Sequence, residues 1–270
     1  MVKFGRARRE SYQFYDKTGS PRSDTDVISH FARADVVLFG ELHDNPVIHQ
    51  LQYDMTRGLF ERRDGRLILG AEMFEADNQI VLDEYLAGLI KHEHLINEAK
   101  VWGNYEPDYR PLVEFAKEHH LPFIATNIPR RYANLVAREG IEALDKLSEQ
   151  ATQSMAPLPI HVDMDTPGYR EMMGMGHGMG AKAQNFVAAQ AVKDATMAYF
   201  ILHHLEEGSL FVHFNGDYHS RSYGGIYWYL KAAAPELQVQ TIASVESHTG
   251  EFEEAHRNLG DQVLLVPPAA

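Results

Sequence analysis

In the stretch Asp35-Val36-Val37-Leu38-Phe39-Gly40-Glu41-Leu42-His43-Asp44-Asn45-Pro46, an unbroken apolar run gives way to acids and an imidazole, then to a proline. Four successive apolar side chains cannot divide between core and water, so the run predicts a strand buried on both faces, as in a parallel sheet. Pro46 suits the first turn of a helix, and from there to Arg62 the residues Ile48, Leu51, Met55 and Leu59 fall on one face.

The same unit recurs on either side. Strand-like runs occur at Arg66–Phe74, Leu121–Thr126, Ser209–Phe214, Leu237–Val245 and Gln262–Val266. Helical patterns lie between most of them: Asp108–His119 points Leu112, Phe115 and Ala116 inward, and Lys182–Glu207 ends before Gly208, a natural C-terminal cap. Alternation of this kind predicts an α/β fold, a central mostly parallel sheet flanked by helices. No repeat or linker divides the chain, so residues 1–270 read as a single domain. Two stretches break the alternation. Residues 76–104 add helices, and 141–181 form a helical and loop-rich insertion containing Pro157, Pro159, Pro167 and the Gly/Met-rich run Met172–Gly180. A long irregular insertion in a compact domain is usually a lid or binding loop, and this one is the expected lid.

Bulk properties remove several function classes. The formal net charge of -13 argues against an electrostatic grip on nucleic acid or anionic lipid. There are no cysteines, hence no disulfides, thiolate metal sites or cysteine nucleophiles. No run reaches the roughly 20 apolar residues of a membrane-spanning helix. The first 35 residues lack the apolar segment of a signal peptide, which leaves a cytoplasmic protein or a mature form as expectations.

In open α/β sheets ligands bind outside the carboxyl ends of the strands. The expected strand ends carry Glu41 and His43; Glu72 and Glu75; Asn127 and Arg130; His213, Asp217 and His219; and Glu246 and His248. One polar strand end is ordinary, but five in succession predict a polar site. Glu72 weighs most, because a carboxylate inside an apolar strand is costly unless paired. Glutamate and histidine together suit a divalent metal or acid–base chemistry. The Met-rich run offers soft thioethers around His177, or simply an adaptable apolar cover. Trp102, Tyr105, Tyr109 and Arg110 gather in one segment, where Tyr109 reads equally as a core residue and as a ligand of ferric iron. His92 and His94 lack zinc-motif spacing, the pairs His119-His120 and His203-His204 read as helix-end residues, and the glycines from 174 to 180 follow no strand and make no phosphate cradle.

Gly40-Glu41-Leu42-His43-Asp44-Asn45 with His49, Ala71–Glu75, Pro107–Leu112, Asn127–Arg130, Gln190–Met197 and Asn215–His219 together resemble the ChaN family, over about residues 35–267. That resemblance implies an iron-regulated haem-binding lipoprotein of the bacterial cell envelope, in the periplasm or at the outer membrane. It implies a membrane attachment made only through a lipid anchor absent from this chain. It also implies a homodimer formed on ligand binding, with two copies enclosing stacked haems. A tyrosine would ligate each iron, and a histidine and a lysine would hold the propionates. The candidates by type and position are Tyr105, Tyr109 and Tyr169 for iron, and His177 and Lys182 for propionates.

The Gly-Glu-x-His start is also similar to the wider superfamily of Tiki proteases and erythromycin esterases. That likeness implies the alternative of a metal-dependent hydrolase. Glu41, His43, Glu72, Glu75, Arg130 and His219 would then be catalytic, and Glu41, His43, His213 and His219 would hold a divalent metal ion.

Overall fold

The structure, a computed structural model, describes residues 12–175 and 180–269. Among the described residues eight strands form one sheet: β1 (Gln13–Asp16), β2 (Pro21–Arg22), β3 (Val36–Glu41), β4 (Leu67–Glu75), β5 (Phe123–Asn127), β6 (Leu210–Gly216), β7 (Val239–Glu246) and β8 (Gln262–Val266). Their order is β2-β1-β8-β7-β3-β6-β4-β5, with β8 to β5 mutually parallel and β1 antiparallel to both β2 and β8. The α/β class and mostly parallel sheet read from the sequence are those observed.

Among the described residues the helices are α1 (Asp24–Phe31), α2 (Pro46–Arg62), α3 (Gln79–Leu86), α4 (His92–Glu98), α5 (Arg110–His119), α6 (Arg130–Glu139), α7 (Glu149–Thr152), α8 (Pro167–Met175), α9 (Ala181–His204) and α10 (Gly225–Ala233). Asn45 caps α2, its side chain accepting from Val47 N at 3.1 Å. The longest helix stops at His204 rather than running on to Glu207. His204 Nδ1 lies 2.9 Å from the Phe200 carbonyl, Leu205 turns extended, and Gly208 takes the positive φ that leads into β6.

Every residue of β3 is buried, and alternate side chains serve two cores. Val37 and Phe39 join Ile48, Leu51 and Met55 of α2 and Leu112 and Phe115 of α5 on one face. Val36 and Leu38 join Met197 and Ile201 of α9 and Ile226 and Leu230 of α10 on the other. The chain therefore leaves β3 toward one face of the sheet and leaves its neighbour β6 toward the other. Loops that part in this way open a crevice above the carboxyl ends.

Both edges are finished. β1 and β2 extend the β8 side, where Phe14 alone of β1 is buried, so their polar composition hides them from a search for apolar runs. At the other edge, the Gln79 amide donates to the Phe123 carbonyl at 3.0 Å and accepts from Ala125 N at 2.6 Å, completing backbone bonds of β5.

Candidate functional site

Glu41 closes β3 and is fully buried. Its Oε1 accepts from the Tyr109 hydroxyl at 2.6 Å and lies 2.9 Å from His43 Nδ1, while Oε2 accepts from Gln52 at 2.5 Å. The turn after β3 is fixed through the His43 carbonyl, which receives His49 Nε2 at 2.8 Å and the Asn104 amide at 2.9 Å. A carboxylate holding Nδ1 leaves Nε2 as the free edge of the His43 ring. Burial alone would lower the His43 pKa, but Glu41 and Glu72 outweigh it and raise it.

Glu72 comes from inside β4. Its Oε2 accepts from Gly216 N at 2.8 Å and its Oε1 lies 3.2 Å from His219 Nε2. The other side of that imidazole meets Asp194 of α9, with Nδ1 2.5 Å from Oδ1, and Asp194 Oδ2 accepts from the Tyr169 hydroxyl at 2.5 Å. Four buried groups thus form one chain, Glu72–His219–Asp194–Tyr169. Burial opposes charge on the imidazole, but the two flanking carboxylates prevail and push His219 up to about 10. Burial likewise opposes charge on Glu72, and His219 overcomes it, holding the carboxyl well below its usual range. For Asp194 burial prevails and the pKa is raised. His219 is therefore an imidazolium at neutral pH, sandwiched between acids.

The two carboxylate–imidazole pairs meet at Gly216. A Cβ there would stand 2.8 Å from His43 Nε2 and 3.4 Å from Glu72 Oε2, so glycine lets the His43 ring lie this close without shifting. Above them opens a cavity of about 1300 Å³, larger than the roughly 300–1,000 Å³ of sites for single drug-sized ligands. Its mouth carries Tyr218, 52% exposed, and Phe186, 53% exposed, with Trp102 and Met172 on the walls. The Arg221 guanidinium lies 5.5 Å from the Tyr218 ring centre and also pairs with buried Asp217, whose pKa burial raises to about 6.

Of the residues expected from the sequence, Glu41, His43, Glu72, Glu75, Arg130 and His219 all line this cavity. His213 does not: it is wholly buried within β6, with Nε2 2.8 Å from Thr126 Oγ1 and Nδ1 3.1 Å from Asn215 Oδ1. Burial lowers its pKa to about 4, so it is a neutral core residue. Among the described residues no group of three or more His, Asp or Glu could hold a metal ion, which corrects the expected centre of Glu41, His43, His213 and His219. Nor does the structure bring the three expected tyrosines to the cavity. Tyr109 and Tyr169 are buried donors to Glu41 and Asp194, and Tyr105 is buried under Phe74 and His92, which explains the aromatic segment as packing. Lys182 is exposed in the first turn of α9, off the cavity lining, and His177 lies outside the described residues.

Sequence reasoning missed Tyr218, Asp194 and Lys193. Asp194 was detectable: it shares a helical face with Val187, Ala191, Ala198 and Ile201, where a carboxylate needs a buried partner. Tyr218 sits inside the Asn215–His219 motif, and nothing in its spacing separates it from the three buried tyrosines.

Solved structures share the fold of this chain. The chain superposes on ChaN of Campylobacter jejuni, a structure described as showing cofacial haem binding, with a TM-score of 0.72 and 19% identity over 96% of this chain and 98% of that one. It also matches the type III effector HopBA1 at a TM-score of 0.50 and 11% identity, covering 91% and 94%. An erythromycin esterase, EreC, follows at 0.48 and 12%, covering 82% and 72%. No curated protein matches the chain. The family model described as haem-binding uptake, Tiki superfamily, ChaN, matches residues 27–230, and the protein belongs to that family.

Proposed function

We propose that the protein binds haem in the cavity above β3, β6, β4 and β5, with the Tyr218 phenol as iron ligand, and serves haem or iron acquisition at the cell envelope. The observation that carries this reading is Tyr218 itself: among the described residues lining the cavity it is the one tyrosine, and half its surface is open. A phenolate is an established axial ligand of ferric haem. Phe186, Trp102 and Met172 provide the flat and adaptable apolar contacts that a porphyrin face requires. Haem supplies the redox-active iron; the chain supplies the phenol, the apolar walls and a polar floor. A second copy closing over the open mouth would bury the exposed Tyr218 and Phe186, and we infer a homodimer on ligand binding.

Titration with hemin tests this directly. A saturable Soret shift with a phenolate-to-iron charge-transfer band is expected. Tyr218→Phe should remove that band and weaken binding by at least about tenfold, roughly 1.4 kcal/mol. Absence of saturable binding, or an unaltered spectrum in the variant, would refute the assignment.

One observation favours a second reading, hydrolysis by acid–base chemistry. His43 presents Nε2, backed by Glu41, beside an imidazolium held by Glu72 and Asp194. In this reading His43 accepts a proton from water. Turnover in a screen of carboxylic esters, abolished by both His43→Ala and Glu72→Gln, is the expected result; turnover that survives both substitutions excludes it.

A further inference from the structure

The cavity is chemically lopsided. Its β3 and β7 side carries Asp44, Glu41 and Glu246, while the opposite wall, formed by α6 and α9, carries Arg130 and Lys193. In a chain of net charge -13, cations are seldom left unpaired in a cleft, since acids are plentiful. Neighbouring Arg131 illustrates the ordinary outcome, held by Asp77 at 2.6 Å, and Lys100 on the rim lies 3.7 Å from Glu75. Among the described residues Arg130 has no ion pair or hydrogen bond, and Lys193 meets only the neutral Gln190 amide at 3.3 Å.

Two further features point to the same wall. Arg130, on the cavity lining, is the first residue of α6, whose N-cap is Pro129 and makes no side-chain cap, so the positive end of that helix adds to the charge at this point of the wall. Asn127, only 8% exposed, donates to the Glu72 carbonyl at 3.0 Å but leaves its Oδ1 without a donor. A buried acceptor of this kind calls for a water or a ligand group. A hydrated carboxylate satisfies all three features: its oxygens meet Arg130 and Lys193, and its water donates to Asn127.

We propose that Arg130 and Lys193, with the start of α6, form a carboxylate-binding subsite that orients a flat apolar dicarboxylate whose ring lies against Phe186 and Tyr218. The proposal rests on the haem reading for the identity of that dicarboxylate, whose propionates it assigns to these residues rather than to Lys182.

The test compares hemin, metal-free protoporphyrin IX and hemin dimethyl ester on the full chain and on Arg130→Ala and Lys193→Gln. Each substitution should weaken both free-acid ligands about tenfold and leave the ester unchanged, and Arg130→Lys should recover most of the loss. Arg130 is exposed and unpaired, so folding should be intact by circular dichroism; Arg130→Glu, which reverses the charge, should weaken the acids further. Free acid and ester weakened alike, substitutions without effect, or no binding of protoporphyrin IX to the unaltered chain would each overturn the subsite. The haem reading fails separately, if hemin binds no more tightly than protoporphyrin IX and Tyr218→Phe is silent.

Discussion

Glu72 and His219 carry opposite charges while largely buried, and each stabilises the fold over its own range of pH. His219 is raised from an ordinary value near 6.5 to about 10, so its contribution is complete below about pH 6.5 and is lost as pH rises through about 10. His43 is raised too and adds to the same loss. Glu72 is held low, so its contribution is present above its ordinary 4.5 and is lost in acid. Urea midpoints should therefore fall between about pH 7 and 9.5, before the tyrosines ionise. Glu72→Gln should cost about 3–5 kcal/mol near neutrality, because it strands a buried charge, and should make that alkaline slope shallower. An unchanged slope would show that His219 is not held as an imidazolium by Glu72. At this scale the sequence was partly legible. Glu41, Glu72 and His219 stood out as carboxylates and imidazoles at expected strand ends, whereas the buried status of Tyr105, Tyr109 and Tyr169 depends on neighbours brought from distant elements.

Two glycines mark where elements are forced together. Gly216, at the end of β6, has a flexible neighbour: an added Cβ meets the partly exposed His43 ring, which can swing away. Gly225 opens α10 at φ +50°, and a Cβ there would stand 2.3 Å from the His219 carbonyl and 3.0 Å from Asp194. Gly225→Ala should thus destabilise the fold by more than Gly216→Ala, roughly 3 kcal/mol against 1 by chemical denaturation. Equal losses would mean that the α10 start relaxes freely. Elements buried on both sides were legible because their composition has one cause, as β3, β4 and β6 illustrate. α1 and the β1–β2 hairpin were not, since each buries only part of its surface at the edge of the sheet. The insertion at 141–181 carries too little apolar periodicity to announce α7 or α8. It nevertheless contributes Tyr169 to the buried chain and Met172 to the cavity wall.

For the molecule as a whole, net charge bears on the proposed homodimer. Chains of -13 repel each other, and salt screens that repulsion. The proposed haem-driven dimerisation, followed by sedimentation, should strengthen as sodium chloride rises from about 50 to 300 mM. A dimer that weakens with salt would instead point to an interface of opposite charges. The parallel core and the location of the site at its carboxyl rim follow from strand order, and the sequence supports both through alternation alone. The direction in which each strand end departs is what places the crevice between β3 and β6, and that direction is set by the two cores on opposite faces of the sheet.

The Gln79 amide on β5 has one more consequence. By occupying both a donor and an acceptor of the last parallel strand, it leaves fewer main-chain groups on which a foreign strand could grow. Gln79→Ala should accordingly raise light scattering on prolonged incubation well before it lowers the melting temperature, so that a single side chain governs shelf life more than fold stability.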